Sequence, residues 1–126
     1  MRTRLCLLAL ACGVVAASPA GATPPAPSYS AVMTNDSSCQ FFITASWQHV
    51  KVGQVFANWY EDGIFIFTTD ATIQGNKAFM TAGPLVPTTT PHDWYALVNF
   101  YSSSGAQLQQ LYTNTDTANC GIGGQT

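Results

Sequence analysis

Two histidines and a few carboxylates are the side chains of this sequence best suited to chemistry. His92 stands beside Asp93 at the end of a Thr/Pro-rich run. An imidazole next to a carboxylate is the start of a general base or of a metal site. A small secreted hydrolase built on His92 and Asp93 is therefore one reading, and it needs a third group from elsewhere in the chain. Neighbouring residues of a strand point to opposite faces, so the dipeptide alone makes no dyad. His49 follows Trp47 in a turn. Glu61 and Asp62 are adjacent carboxylates, but Asp62-Gly63 lies between two apolar runs and is a hairpin signal, which assigns the pair to a solvated turn. The sequence contains no G-x-S-x-G, no C-x-x-C, no phosphate-cradling glycine loop and no clustered zinc ligands. No catalytic residue, metal or cofactor is expected.

Binding is better represented. The chain has Trp47, Trp59 and Trp94 together with five tyrosines and seven phenylalanines. Aromatic rings stack on sugars and anchor protein interfaces, and they also fill small cores. Trp47 and Trp59 alternate with polar residues and belong to a core. If Trp94, Ala96, Val98 and Phe100 face inward, Tyr95, Leu97, Asn99 and Tyr101 face outward as an aromatic stripe. Tyr95 and Tyr101, with His92 and Asp93 from the preceding Pro84 to Asp93 loop, form the expected binding face. Its partner would be a glycan or an extracellular protein. A further alternative is an inhibitor that presents the Thr88 to Pro91 loop to an enzyme.

The elements that would position these residues have period two. Cys39, Phe41, Ile43, Ala45 and Trp47 share a face opposite Gln40, Thr44, Ser46 and Gln48. Val55, Ala57 and Trp59 repeat the pattern. After the Asp62-Gly63 turn, Ile64 to Thr69 is apolar on both faces, which predicts a central or covered strand. Lys77 to Ala82 is a shorter strand, Trp94 to Tyr101 the most aromatic one, and Ser102 to Gly105 turns it back into Leu108 to Thr113. Leu108 and Leu111 break the alternation, which predicts a β-bulge. Tyr29 to Thr34 supplies a first strand. About seven short strands with regular turns and no amphipathic helix predict an all-β, two-sheet sandwich over residues 29–120, with a small barrel as the alternative.

This layout resembles the immunoglobulin-like and fibronectin-III-like sandwiches of exported bacterial proteins. Cys39 sits where the second strand begins, and the hairpin at Ser103 to Gly105 resembles the last two strands of such folds. True immunoglobulin domains carry their second cysteine on the penultimate strand; Asp93-Trp94-Tyr95-Ala96-Leu97-Val98 has none, and Cys120 lies beyond the last predicted strand. No function carries over from a likeness of pattern.

Residues 1–22 read as a signal peptide, with Arg2 and Arg4 before an apolar Leu5 to Ala17 and a small-residue site at Ala20-Gly21-Ala22. A lipoprotein cut before Cys12 is the alternative. No other run is long and apolar enough to span a bilayer. Residues 23–28 form a Pro-rich linker and 121–126 a flexible Gly-rich tail. Without the leader only Lys51 and Lys77 oppose six acidic residues, a net charge of −4. Such a chain cannot neutralise a phosphate backbone, which excludes nucleic acid as a partner. Cys39 and Cys120 remain as the right number for one disulfide in an oxidising compartment, so the chain is expected in the periplasm, at the cell surface or secreted. Asn35-Asp36-Ser37 is an N-glycosylation sequon where the host has that machinery.

Overall fold

The computed structural model describes residues 23–122. The expected leader, with its Cys12 alternative, and residues 123–126 of the expected tail lie outside the described residues. The described chain forms β1 (Ser28–Asn35), β2 (Phe41–Gln48), β3 (Gln54–Glu61), β4 (Ile64–Asp70), β5 (Thr72–Gln74), β6 (Lys77–Ala82), β7 (Val86–Tyr101), β8 (Gln107–Tyr112) and β9 (Asp116–Gly121). A four-stranded sheet has the order β1-β2-β6-β5; a five-stranded sheet has the order β4-β3-β7-β8, with β9 also on β7. All pairings are antiparallel. This is the strand order of an immunoglobulin-like sandwich with its extra edge strand, to which β9 is added.

Alternation decides the core. Phe41, Ile43, Ala45 and Trp47 of β2, Val55, Ala57 and Trp59 of β3, and Trp94, Ala96, Val98 and Phe100 of β7 are all buried between the sheets. Each large side chain there contributes roughly 1.5–3 kcal/mol by leaving water. Trp47 packs edge-on against Phe100 with ring centroids 6.1 Å apart, and Phe41 tilts over Trp94 at 5.3 Å. The buried indoles are satisfied: Trp94 Nε1 donates to the Cys120 carbonyl at 2.9 Å, and Trp59 Nε1 to Thr69 Oγ1 at 2.7 Å.

Several expectations are corrected. The run before Trp94 is strand rather than loop: β7 starts at Val86, because its first half pairs with β9, Pro87 opposite Cys120 and His92 opposite Ala118. Pro87 and Pro91 are tolerated there because β3 covers only residues 94–101, leaving that half of β7 with one open edge. Cys120 therefore lies within a strand, and Gly121, assigned to the tail, is the last residue of β9. β4 is neither central nor covered. It is an edge strand paired with β3 alone, and Ile64 and Phe65 are 66% and 52% exposed. The expected bulge in β8 is present: Phe100 pairs with Gln109 and Tyr101 with Gln107, which leaves Leu108 as the extra residue.

The Cys39–Cys120 disulfide is formed across 81 residues of sequence. Cys39 precedes β2 of one sheet and Cys120 belongs to β9 of the other, so the bond joins the two sheets at one end of the sandwich. Charge is unevenly spread along the same axis, with all the acidic residues but Asp70 at one end. Asp36, Glu61, Asp62, Asp93 and Asp116 lie toward the disulfide end, at the β1–β2 and β3–β4 turns and along the β7–β9 ladder. Lys51 and Lys77 lie at the other end, in the β2–β3 connection and at the start of β6. Among the described residues no helix is long and apolar enough to cross a membrane.

Candidate functional site

Alternation along β7 leaves Asp93, Tyr95, Leu97, Asn99 and Tyr101 on the outer face of the five-stranded sheet. Register brings their partners beside them: Tyr60 opposite Tyr95, Asn58 opposite Leu97 and Phe56 opposite Asn99 on β3. On β4 a bulge does the same work. Trp59 pairs with Phe67 and Tyr60 with Phe65, so Ile66 is the extra residue, and Phe65 turns outward while Phe67 packs on Trp59.

The result is a row of rings across four strands. Phe65 meets Tyr60 with centroids 5.9 Å apart, Tyr60 stacks on Tyr95 at 5.1 Å and 7° between planes, and Tyr95 meets Tyr112 of β8 at 5.7 Å. The outermost ring, Tyr112, is 61% exposed. Further along the face Phe56 stacks on Tyr101 at 5.6 Å. Carboxamides lie between the rings. Asn58 accepts from Thr68 at 2.8 Å and Gln107 from the Tyr101 hydroxyl at 3.3 Å, while Asn99, 2% exposed, lies covered on this side, donating to the Leu97 carbonyl and accepting from the exposed Gln110 Nε2 at 2.5 Å. Charge appears only at the corners, as Asp70 opposite Phe56 and as Asp93. The face is a neutral, aromatic and amide-bearing plane.

His92 has the opposite parity and is not part of that plane. Its Nδ1 meets Asp62 Oδ2 at 2.6 Å and Glu61 Oε2 at 3.4 Å. Asp93 turns elsewhere: its carboxylate accepts from Thr117 Oγ1 at 2.6 Å. The structure thus separates the two residues of the dipeptide, and pairs His92 with the carboxylates of the β3–β4 turn. Glu61 is no solvated turn residue. Its side chain is 2% exposed, and the Ile122 amide donates to its carboxylate. Burial, first, and the Asp62 charge push the Glu61 carboxyl up from the ordinary range, against the imidazole and the Ile122 amide, which lower it. Hydrogen bonds from the Asp93 amide and from His92 hold Asp62 below its ordinary value. The bond to Asp62 raises His92, against a smaller effect of burial. His92 Nε2 is buried with no protein partner.

One ligand atom from each of Glu61, Asp62 and His92 lies within 4.8 Å of the others, close enough to hold a metal ion. Sequence reasoning missed this trio. The signal was an Asp-Gly hairpin, and only the β3–β7 pairing of Glu61 with Trp94 brings it beside His92. The Thr88 to Pro91 segment forms the irregular stretch of β7 between its paired parts, with Thr88 Oγ1 donating to the Thr90 carbonyl at 2.7 Å. Asn35 of the sequon donates from Nδ2 to Asp116 at 2.7 Å.

No family model and no curated protein matches the chain. Among solved structures it is similar to an engineered protein known from a crystal structure, at 15% identity and a TM-score of 0.48. That alignment covers 86% of this chain and 22% of the other, so the chain spans about a fifth of that protein's length. A likeness of this size carries no argument about function.

Proposed function

We propose that this chain is an exported, non-enzymatic binding module whose outer five-stranded face takes a neutral glycan chain. The observation that supports the reading is the ring row Phe65–Tyr60–Tyr95–Tyr112, with carboxamides beside it and carboxylates only at the corners. Aromatic rings offer apolar surface to the C–H faces of sugars, and amides and phenol hydroxyls match sugar hydroxyls. A face without lysine or arginine gives no attraction to a phosphorylated or carboxylated polymer. The disulfide fits an oxidising, extracytoplasmic setting.

The test is affinity electrophoresis of the oxidised protein through gels holding soluble neutral polysaccharides, beside Tyr95→Ala/Tyr101→Ala. Retardation of the wild type that falls at least tenfold in the folded double variant supports the reading. Equal retardation of both proteins removes this face from binding. Wild-type migration unaffected by every neutral polysaccharide, with retention instead on an extracellular protein, overturns the glycan assignment while leaving a binding module.

A further inference from the structure

The four rings of the outer face are not equivalent. Tyr60 and Tyr95 lie parallel, with 7° between planes and centroids 5.1 Å apart. Two rings that close cannot lie side by side in one plane, so each covers a face of the other. Their outer flanks are taken as well. Phe65 meets Tyr60 at 68° from the β4 side, and Tyr112 meets Tyr95 at 67° from the β8 side, both edge to face. The central pair is therefore a closed stack, half-buried on the sheet. The end rings are the free ones: Phe65 is 52% exposed and Tyr112 61%.

Phe65 and Tyr112 belong to the two ends of the β4-β3-β7-β8 path. Three strand spacings separate them, roughly 15 Å. The residues between and beside them, Tyr60, Tyr95, Asn58 and Leu97, are uncharged. No cavity opens among the described residues, so the row has no wall to meet the end of a chain.

These features select among neutral glycans. A flat row open at both ends takes the interior of a chain rather than its terminus. A β-1,4-linked hexose chain is a straight ribbon with apolar C–H groups on both faces, and its sugars repeat about every 5 Å, close to the strand spacing. Three such steps match the distance between the free rings. The first and fourth of four consecutive sugars then fall on Phe65 and Tyr112. An α-1,4-linked chain coils and leaves a straight row within that length.

We propose, resting on the glycan reading above, that the face is a four-sugar site for the interior of a straight, neutral, β-1,4-linked hexose chain that runs across the strands. Phe65 and Tyr112 are its stacking ends. The Tyr60–Tyr95 stack is the support that holds them at that separation.

Isothermal titration of the oxidised protein with cello-, manno- and N-acetylated chito-oligosaccharides of two to six units tests this, with malto-oligosaccharides as the coiled contrast. In one β-1,4 series affinity should rise about fivefold or more from three units to four, and change little beyond four. Phe65→Ala and Tyr112→Ala each remove an exposed ring and leave the core intact. In both, four units should bind no better than three, whereas Tyr112→Phe should keep the step. Opening the terminal sugar of the six-unit chain by reduction should leave its affinity unchanged. A wild type without the step, a step that survives in either alanine variant, or equally tight malto-oligosaccharides overturns the four-sugar site. In each of those cases, retardation by neutral polysaccharides that is lost in Tyr95→Ala/Tyr101→Ala leaves the broader glycan reading standing. No binding of any neutral glycan overturns both.

Discussion

At Gly121 a methyl group would meet Glu61 Oε2 at 2.7 Å and Thr88 Cγ2 at 3.2 Å. Glu61 is buried and cannot swing into water, so the methyl group must displace the carboxylate from His92 and from the Ile122 amide. Gly121→Ala is expected to cost about 1–3 kcal/mol, the usual penalty for forcing atoms into packed space, read by urea unfolding. A second residue-scale prediction concerns Trp94, whose Nε1 satisfies the buried Cys120 carbonyl. Trp94→Phe keeps a ring but leaves that oxygen without its partner, for a loss of about 1–3 kcal/mol, plus the effect of lost volume. The pH dependence of stability has a sign. His92 and Glu61 are both raised in the folded protein, so their stabilising effect is complete below their unfolded values and is lost as pH rises through the folded ones. Asp62 is lowered, so its effect is present above its unfolded value and is lost as pH falls through the folded one. Urea midpoints should therefore be highest in mildly acidic solution and decline above the ordinary histidine range, with the decline reduced in His92→Gln.

Strands were legible where burial alternates. Lys77–Ala82 is found at the bounds its pattern predicts, and the burial of Trp94 to Tyr101 follows the same period except at Asn99, which was expected outward and is buried. Two elements were hidden for different reasons. β9 has only small and polar residues around Cys120, so nothing in Asp116–Gly121 marks a strand until β7 is present to pair with it. The first half of β7 carries two prolines, which signal a loop unless one edge is left open. The aromatic row was half visible: Tyr95 and Tyr101 follow from alternation, whereas Tyr60 and Phe65 join them only through register and the Ile66 bulge. The Glu61–His92 contact was not visible, because it depends on which strands are neighbours. At this scale the disulfide makes its own prediction. The chain-entropy model for a loop of this length gives about 4–5 kcal/mol, so the reduced protein should unfold at much lower urea than the oxidised one.

For the whole molecule, the two sheets and the end-placed bond separate the protein into an acidic pole near the disulfide and an opposite pole that carries both lysines, Lys51 and Lys77, with Asp70. The same bond decides how the molecule would carry a load. β1 ends before Cys39, so it lies outside the covalent loop, whereas β2 to the cysteine of β9 lie within it. Force applied between residues 23 and 122 passes through the sulfurs and leaves the enclosed strands unloaded. Under tension only β1 can peel away from β2, lengthening the molecule by on the order of 50 Å at about 3.3–3.6 Å per residue. With the thiols reduced, the same pull should release over 300 Å, roughly, by the same measure. Single-molecule stretching with and without reductant would read the two lengths directly. A domain built this way behaves under tension as a short tether with a fixed stop, and the sheet bearing the aromatic row keeps its shape at forces that have already drawn out the N-terminal strand.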